Sequence, residues 1–262
     1  MVDFENKPSY DVYDLKKIIA LLRAPGGCPW DIEQTHESIR RNLLEEAYEA
    51  AEAIDANDSA HLREELGDVL MQVIFHSDIE EKNGSFSLDG VADEACRKLI
   101  RRHPHVFGDV LAASSGDVLA NWDAIKKEER KQERISDAMR GVARSLPALW
   151  RAEKVQGKAS KAGCDWISRE SAVGAIRDSL SDLNGLSGVK ASEACAGDII
   201  GGLLFSAVSL ALIFGVDPEE ALTGASEGFI ERFARAEDEA GAAGRSIEGL
   251  ADGEREALFR KF

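Results

Sequence analysis

The chain has 262 residues, with 32 basic and 48 acidic side chains and a formal net charge of −16. That length permits one large domain or two of about 130 residues, each able to bury its own core. The acid excess argues against a protein held to nucleic acid by a general basic surface, because neutralising phosphates needs Lys and Arg in excess. It leaves room for one small anionic ligand at a local basic cluster. A hydrophobic content of 44% is too high for a disordered chain. The N-terminal stretch shows no secretory signal, and Cys28, Cys96, Cys164 and Cys195 contain no CxxC pair. They read as reduced cytoplasmic thiols and not as a disulfide frame or zinc site.

Apolar residues recur with the 3.6-residue period, Ala, Leu, Glu, Arg and Lys are prominent, and strand-type alternation is nearly absent, so the expected fold is all-α. Breakers at 25–29, 83–84, 103–104 and 107–117 predict helices near 11–23, 37–56, 60–82, 88–102 and 117–134. A second set is predicted near 146–160, 170–183, 193–214, 218–240 and 246–260. The order repeats. Gly27-Cys28-Pro29-Trp30 is echoed by Gly163-Cys164-Asp165-Trp166, Leu66-Gly67-Asp68 by Ile200-Gly201-Gly202, and Ile100-Arg101-Arg102 by Ile230-Glu231-Arg232. A tandem duplication follows, with domains 1–140 and 141–262 and a join between about 135 and 148. The uncharged run Ile199–Val216 reaches the minimum length of a membrane span. Its flanks, Asp198 and Asp217-Pro218-Glu219-Glu220, lack Lys or Arg anchors, so it reads as a buried core helix at a subunit interface and no membrane is expected.

The charge is concentrated. Residues 1–140 carry net −11 against −5 for the rest, and nine acids against the single base Arg63 lie between Glu45 and Asp68. Glu45-Glu46-x-x-Glu49 is followed by Glu65-x-x-Asp68, and residues three apart share a helix face. With the stripes Leu43, Ala47, Ala50, Ile54 and Leu62, Leu66, Val69, Val73 buried, Glu46 and Glu65 fall at the same angle and Glu49 and Asp68 at another. Antiparallel packing through those stripes brings four carboxylates together. Such a cluster ionises only with a compensating cation, and oxygen donors select hard ions such as Mg²⁺ or Mn²⁺. A di-iron bundle needs two Glu-x-x-His pairs, and only Glu33 to His36 fits.

The run Arg97-Lys98-Leu99-Ile100-Arg101-Arg102 stands out in this acidic chain; Lys98 and Arg102 share a face, as do Trp122 and Lys126. Cations beside a metal–carboxylate site suit a polyphosphate, and a Trp face suits a base.

These motifs, with Gly26-Gly27-Cys28-Pro29-Trp30-Asp31, Arg101-Arg102-His103-Pro104-His105-Val106-Phe107-Gly108 and Asn121-Trp122-Asp123, make the sequence resemble the MazG nucleoside triphosphate pyrophosphohydrolases over nearly its whole length. The resemblance implies two helical MazG domains per chain, a homodimer, and Mg²⁺-dependent hydrolysis of (d)NTP at the α–β phosphoanhydride to (d)NMP and pyrophosphate, including the removal of non-standard nucleotides. Carried over by position, Glu46, Glu49, Glu65 and Asp68 match the metal ligands, Lys98 and Arg102 the phosphate-binding pair, and Trp122 the nucleotide-contacting Trp. Asn42, Arg101 and Lys126 join the nucleotide-binding candidates, and Glu45 is a candidate acceptor of the attacking water's proton. In the second repeat Ser179, Asp182, Ile199 and Gly202 stand where the four ligands stand in the first, which places the metal site in the N-terminal half and leaves the second a structural or dimerising role. The competing class is a non-catalytic nucleotide- or partner-binding module on the same scaffold, distinguished by binding without turnover.

Overall fold

The computed structural model describes residues 4–111, 114–129, 134–163, 168–186 and 193–262. Among them it is all-α, with no strand. The chain divides into two compact units, Met1–Lys126 and Lys127–Phe262.

The first unit contains α1 (Val12–Leu22), α2 (Pro29–Glu33), α3 (His36–Asp55), α4 (Ser59–Lys82), α5 (Leu88–Arg102), α6 (Pro104–Phe107) and most of α7 (Ser115–Glu129). The starts are dictated locally. Asp11, Thr35, Asp58 and Ser87 each accept backbone N–H groups of the first turn that have no partner within the helix, each cap being worth about 1 kcal/mol. Between α3 and α4 the turn is equally explicit. Asn57 takes a positive φ of 53°, which a short polar side chain tolerates. The amide of Asp58 then donates to Ala53 O and that of Asn57 to Ile54 O, closing the α3 carbonyls in a Schellman arrangement. Because Asp58 also caps α4, three residues reverse the chain and lay α4 against α3. This is the most extensive packing in the unit.

Ile19 of α1, Ile39 of α3 and Ile74, Phe75 and Ile79 of α4 form the core, with Leu15, Met71 and Leu88 packed around them. Arg23 ties the glycine-rich turn to this core. Its Nε lies 2.7 Å from Asp78 Oδ2, its guanidinium stacks over Phe75, and its Nη1 donates to the carbonyls of Asp31 and Gln34. Gly27 sits against the Leu21 and Leu22 carbonyls, where a Cβ would collide with backbone, so the turn requires glycine there.

The second unit contains α8 (Ile135–Arg140), α9 (Ala148–Ser160), α10 (Arg169–Gly185), α11 (Glu193–Phe214), α12 (Pro218–Ala242) and α13 (Asp252–Phe259). Here α10 packs on α11 as α3 packs on α4, and α9 lies on α11 as α1 lies on α4. Glu219 accepts from the amides of Leu149 and Trp150 at the start of α9, and Phe229, Phe233 and Phe259 cluster where α12 meets α13.

The two units meet at 126/127; the repeats place a join between about 135 and 148. Two expectations are corrected. The buried arc of α3 and α4 is shifted from the predicted stripes: Ala50 is buried and Leu43, Leu62, Val69 and Val73 are half-buried, but Ala47, Ile54 and Leu66 are exposed, and Ile39, Ala53, Glu65 and Gln72 are buried. The packed arc is thus rotated by roughly 50° toward the carboxylates, at 100° per residue. Small Ala50 and Ala53 allow close approach on that side, and bulkier apolar groups are left outside. The run expected to form a buried core helix, α11, buries only Val208 and Ser209. Its contacts with α9 and α10 cover one side, and Ile200, Leu204, Phe205 and Phe214 stay exposed. By length and composition α11 is able to cross a membrane. No disulfide links Cys28, Cys96 and Cys195. Cys164 and the Asp165-Trp166 echo lie outside the described residues.

Candidate active site

Rotation of the α3–α4 seam decides the geometry of the site. Glu46 and Glu49 on α3 and Glu65 on α4 each offer a carboxylate oxygen within 4.8 Å of the others. Asp68 lies outside this trio, yet acts on both Glu46 and Glu65 by charge. Glu65 is 7% exposed. One of its oxygens lies 3.0 Å from His61 Nε2; the other, Oε2, is buried without a hydrogen-bond partner. Burial first, then the charges of Asp68, Glu49 and Glu65, raises the Glu46 pKa above its ordinary value. Glu65 is raised likewise, by burial and then by Glu49. A buried carboxylate oxygen with no donor, on a residue clustered with two further carboxylates, suits a hard divalent cation. The residues therefore suit the metal that the resemblance implies.

Glu45 is exposed on α3 next to Glu46 in sequence but not one of the clustered trio, and Asn42 is half-buried one turn before Glu46. On α5, Lys98 and Arg101 are exposed and Arg102 is half-buried. Arg102 and Lys126 both lie over the Trp122 ring, at 5.9 and 5.4 Å from its centroid. The structure thus assembles Arg102, Trp122 and Lys126 from two helices into one cationic–aromatic cluster, the arrangement in which each cation gains from the ring's negative face.

Near the carboxylates, sequence reasoning missed His61 and Gln72 on α4. His61, paired with Glu65, was signalled only by its i,i+4 spacing. Gln72 is 6% exposed with Oε1 unpartnered, two turns beyond Glu65 on the same face. Reading the apolar stripe as the buried face hid it. In the second unit, Ser179 turns its hydroxyl back to the Ala175 carbonyl, Asp182 is exposed, and no carboxylate cluster occurs among the described residues.

An all-α unit with a carboxylate-lined helix pair and a cationic–aromatic cluster has the donors that a divalent cation and a polyphosphate need. Residues 34–107 match the MazG nucleotide pyrophosphohydrolase domain, a span that holds all four carboxylates and the Lys98–Arg102 pair. The chain is 41% identical over 225 residues to the nucleoside triphosphate pyrophosphohydrolase/pyrophosphatase MazG of Thermotoga maritima, covering 86% of this chain and 85% of that protein. To the nucleoside triphosphate pyrophosphohydrolase of Escherichia coli K12 it is 39% identical over 238 residues, 90% of each. The chain belongs to the MazG family.

Proposed function

We propose that this chain is a nucleoside triphosphate pyrophosphohydrolase that cleaves the α–β phosphoanhydride of (d)NTPs, standard or damaged, to (d)NMP and pyrophosphate. The observation that carries this reading is the carboxylate trio with its unpartnered Glu65 oxygen, in a chain of this family. Glu46, Glu49, Glu65 and Asp68 hold Mg²⁺, or Mn²⁺ in its place. When bound, the cation balances the carboxylates and the triphosphate and acidifies the attacking water. Glu45 accepts that water's proton. Lys98, Arg101 and Arg102 neutralise charge as the bridging oxygen leaves the α-phosphorus with pyrophosphate. Trp122, backed by Arg102 and Lys126, stacks on the base, with Asn42 contributing polar contacts. The N-terminal unit is catalytic and the C-terminal unit structural.

The working form is a homodimer. Tyr48 and Ile54 on α3 and Leu66 on α4 are each more than half exposed, a density of large apolar groups that a second copy would cover. The exposed side of α11 is read in the same way, without membrane or nucleic-acid partners. Pyrophosphate release from NTPs with and without Mg²⁺ tests the activity. Glu49→Ala should abolish it with helical content intact, whereas Asp182→Ala should leave it near the parent level. Near-normal turnover by the Glu49 variant would refute the site. Sedimentation tests the dimer: Leu66→Lys should shift the parent dimer toward monomer, and a monomeric parent would refute it.

A further inference from the structure

At the far end of the α3–α4 seam from the carboxylates, three side chains are hydrogen-bonded in a row. His36, the first residue of α3, places Nε2 2.7 Å from Glu80 Oε1 and Nδ1 2.7 Å from His76 Nδ1. The two imidazoles stack with centroids 4.9 Å apart and planes 8° from parallel. Protonation follows from the partners, because the hydrogen-bond network assigns the tautomers. A carboxylate only accepts, and the hydrogen bond from His36 leads the groups that hold Glu80 below its ordinary pKa. His36 therefore carries a proton on Nε2, and its Nδ1 shares a hydrogen bond with His76 Nδ1 whose direction the tautomers set. Burial, then His36, lowers the His76 pKa. Its Nε2 is buried without a hydrogen-bond partner. The basic groups on the α1 side of α4, Arg23 and Lys16, are paired with Asp78 and Glu81 and not with the row; Asn83 adds a contact to Glu80 at 3.4 Å.

Among the described residues, the bonds of His36 to His76 and to Glu80 are the side-chain hydrogen bonds that cross from α3 to α4. The carboxylate end of the seam has none: Ala50 and Ala53 are small, and Glu46, Glu49, Glu65 and Asp68 repel. The antiparallel register that sets His36 against His76 is the one that sets Glu46 against Asp68 and Glu49 against Glu65. We propose that His36, His76 and Glu80 are positioning residues whose hydrogen-bonded row locks α3 on α4 and so sets the spacing of the four carboxylates about 15 Å away along the helices. The proposal rests on the reading of those carboxylates as a divalent-cation site.

The test is calorimetric titration of the full chain with Mn²⁺ in the absence of nucleotide, with circular dichroism to follow folding. His76→Leu keeps the volume and removes the hydrogen bond. It should weaken Mn²⁺ binding by about tenfold, the factor that the loss of one net hydrogen bond of positioning carries, with an unchanged helical spectrum. His76→Asn, whose amide nitrogen stands near the Nδ1 position, should restore binding to within about threefold of the parent. Parent-like affinity in H76L, or no rescue in H76N, overturns the proposal. Should H76L not fold, Glu80→Ala at the outer end of the row should lose about tenfold, and parent-like binding there overturns it equally. A parent chain that binds no Mn²⁺ overturns the metal site and this proposal together, whereas a parent that binds alongside an unaffected variant overturns the row alone.

Discussion

Replacing Glu65 by Gln tests the carboxylate seam through two changes of opposite sign. Its side chain is nearly enclosed, with one oxygen on His61 and the other unpartnered. Gln fills the same volume and removes the charge that burial and Glu49 oppose. The metal-free variant should therefore melt above the metal-free parent. Adding cation reverses the ranking, because a ligand that binds only the folded state stabilises it by RT ln(1 + [L]/Kd), about 2.7 kcal/mol at a hundredfold excess over Kd. For a cooperative unit the size of Met1–Lys126, that is about 10 °C in Tm. A tenfold weaker site at the same cation concentration retains about 1.4 kcal/mol, or roughly half the shift. Melting curves for parent and E65Q at matched Mg²⁺ concentrations measure both effects. A variant that melts lower without cation, or one that gains as much as the parent with it, would refute the assignment of Glu65 as a buried, repelled ligand.

Three further outcomes follow from the same geometry. A carboxylate whose folded-state pKa is raised contributes stability that is present below its ordinary value of 4.5 and lost as pH rises through the raised value. The metal-free parent should thus lose Tm relative to Glu46→Gln as pH climbs above 4.5, a comparison that cancels Asp14, Glu80 and Glu254, whose lowered pKa values act in the other direction; parallel curves would contradict it. Asp78→Ala leaves Arg23 buried without its carboxylate and should cost about 3 kcal/mol in denaturant unfolding, with a loss under about 1 kcal/mol showing that the pair is solvent-screened. Trp122→Ala removes the ring between Arg102 and Lys126 and should raise KM for NTP by roughly 5- to 100-fold, the worth of one base–aromatic stack. Unchanged KM would place the base elsewhere.

Much of this was legible in the residues because the signals are local. Asp11, Thr35, Asp58 and Ser87 mark helix starts, and the predicted starts and ends of α1, α3, α4, α5 and α11 fall within a residue of those observed. Spacing also put Glu46 beside Glu49, and Glu65 beside Asp68. What the pattern did not carry was the rotation of each helix about its axis. An apolar stripe marks the face that will be covered, but not by what. In α3 and α4 the chain's own core takes the carboxylate side near Ala50 and Ala53, and the stripe containing Ile54 and Leu66 is left for another surface. The same ambiguity misplaced α11, whose uniform hydrophobicity gives no face preference at all. His76 and Glu80 were missed because their meaning depends on His36, forty residues away in sequence.

The α3–α4 and α10–α11 seams pack alike but differ in the side chains they carry. In the first unit the positions nearest the α3–α4 contact hold charges that oppose their own burial, and the seam gains its hydrogen-bonded row only at the far end. In the second, Ser179, Ile199 and Gly202 occupy the corresponding places, and the polar tie comes from another helix. Gln156 of α9, 2% exposed, donates to the Phe205 carbonyl of α11 at 2.7 Å. Removing repelling carboxylates relieves the seam of a cation requirement, since paired buried charges need a partner and apolar groups do not. Once that requirement is gone, α11 is free to become apolar all round, and its outward face gains value only where another surface covers it. The seam of the second unit thus needs no cation, and the exposed side of α11 carries Ile200, Leu204 and Phe205.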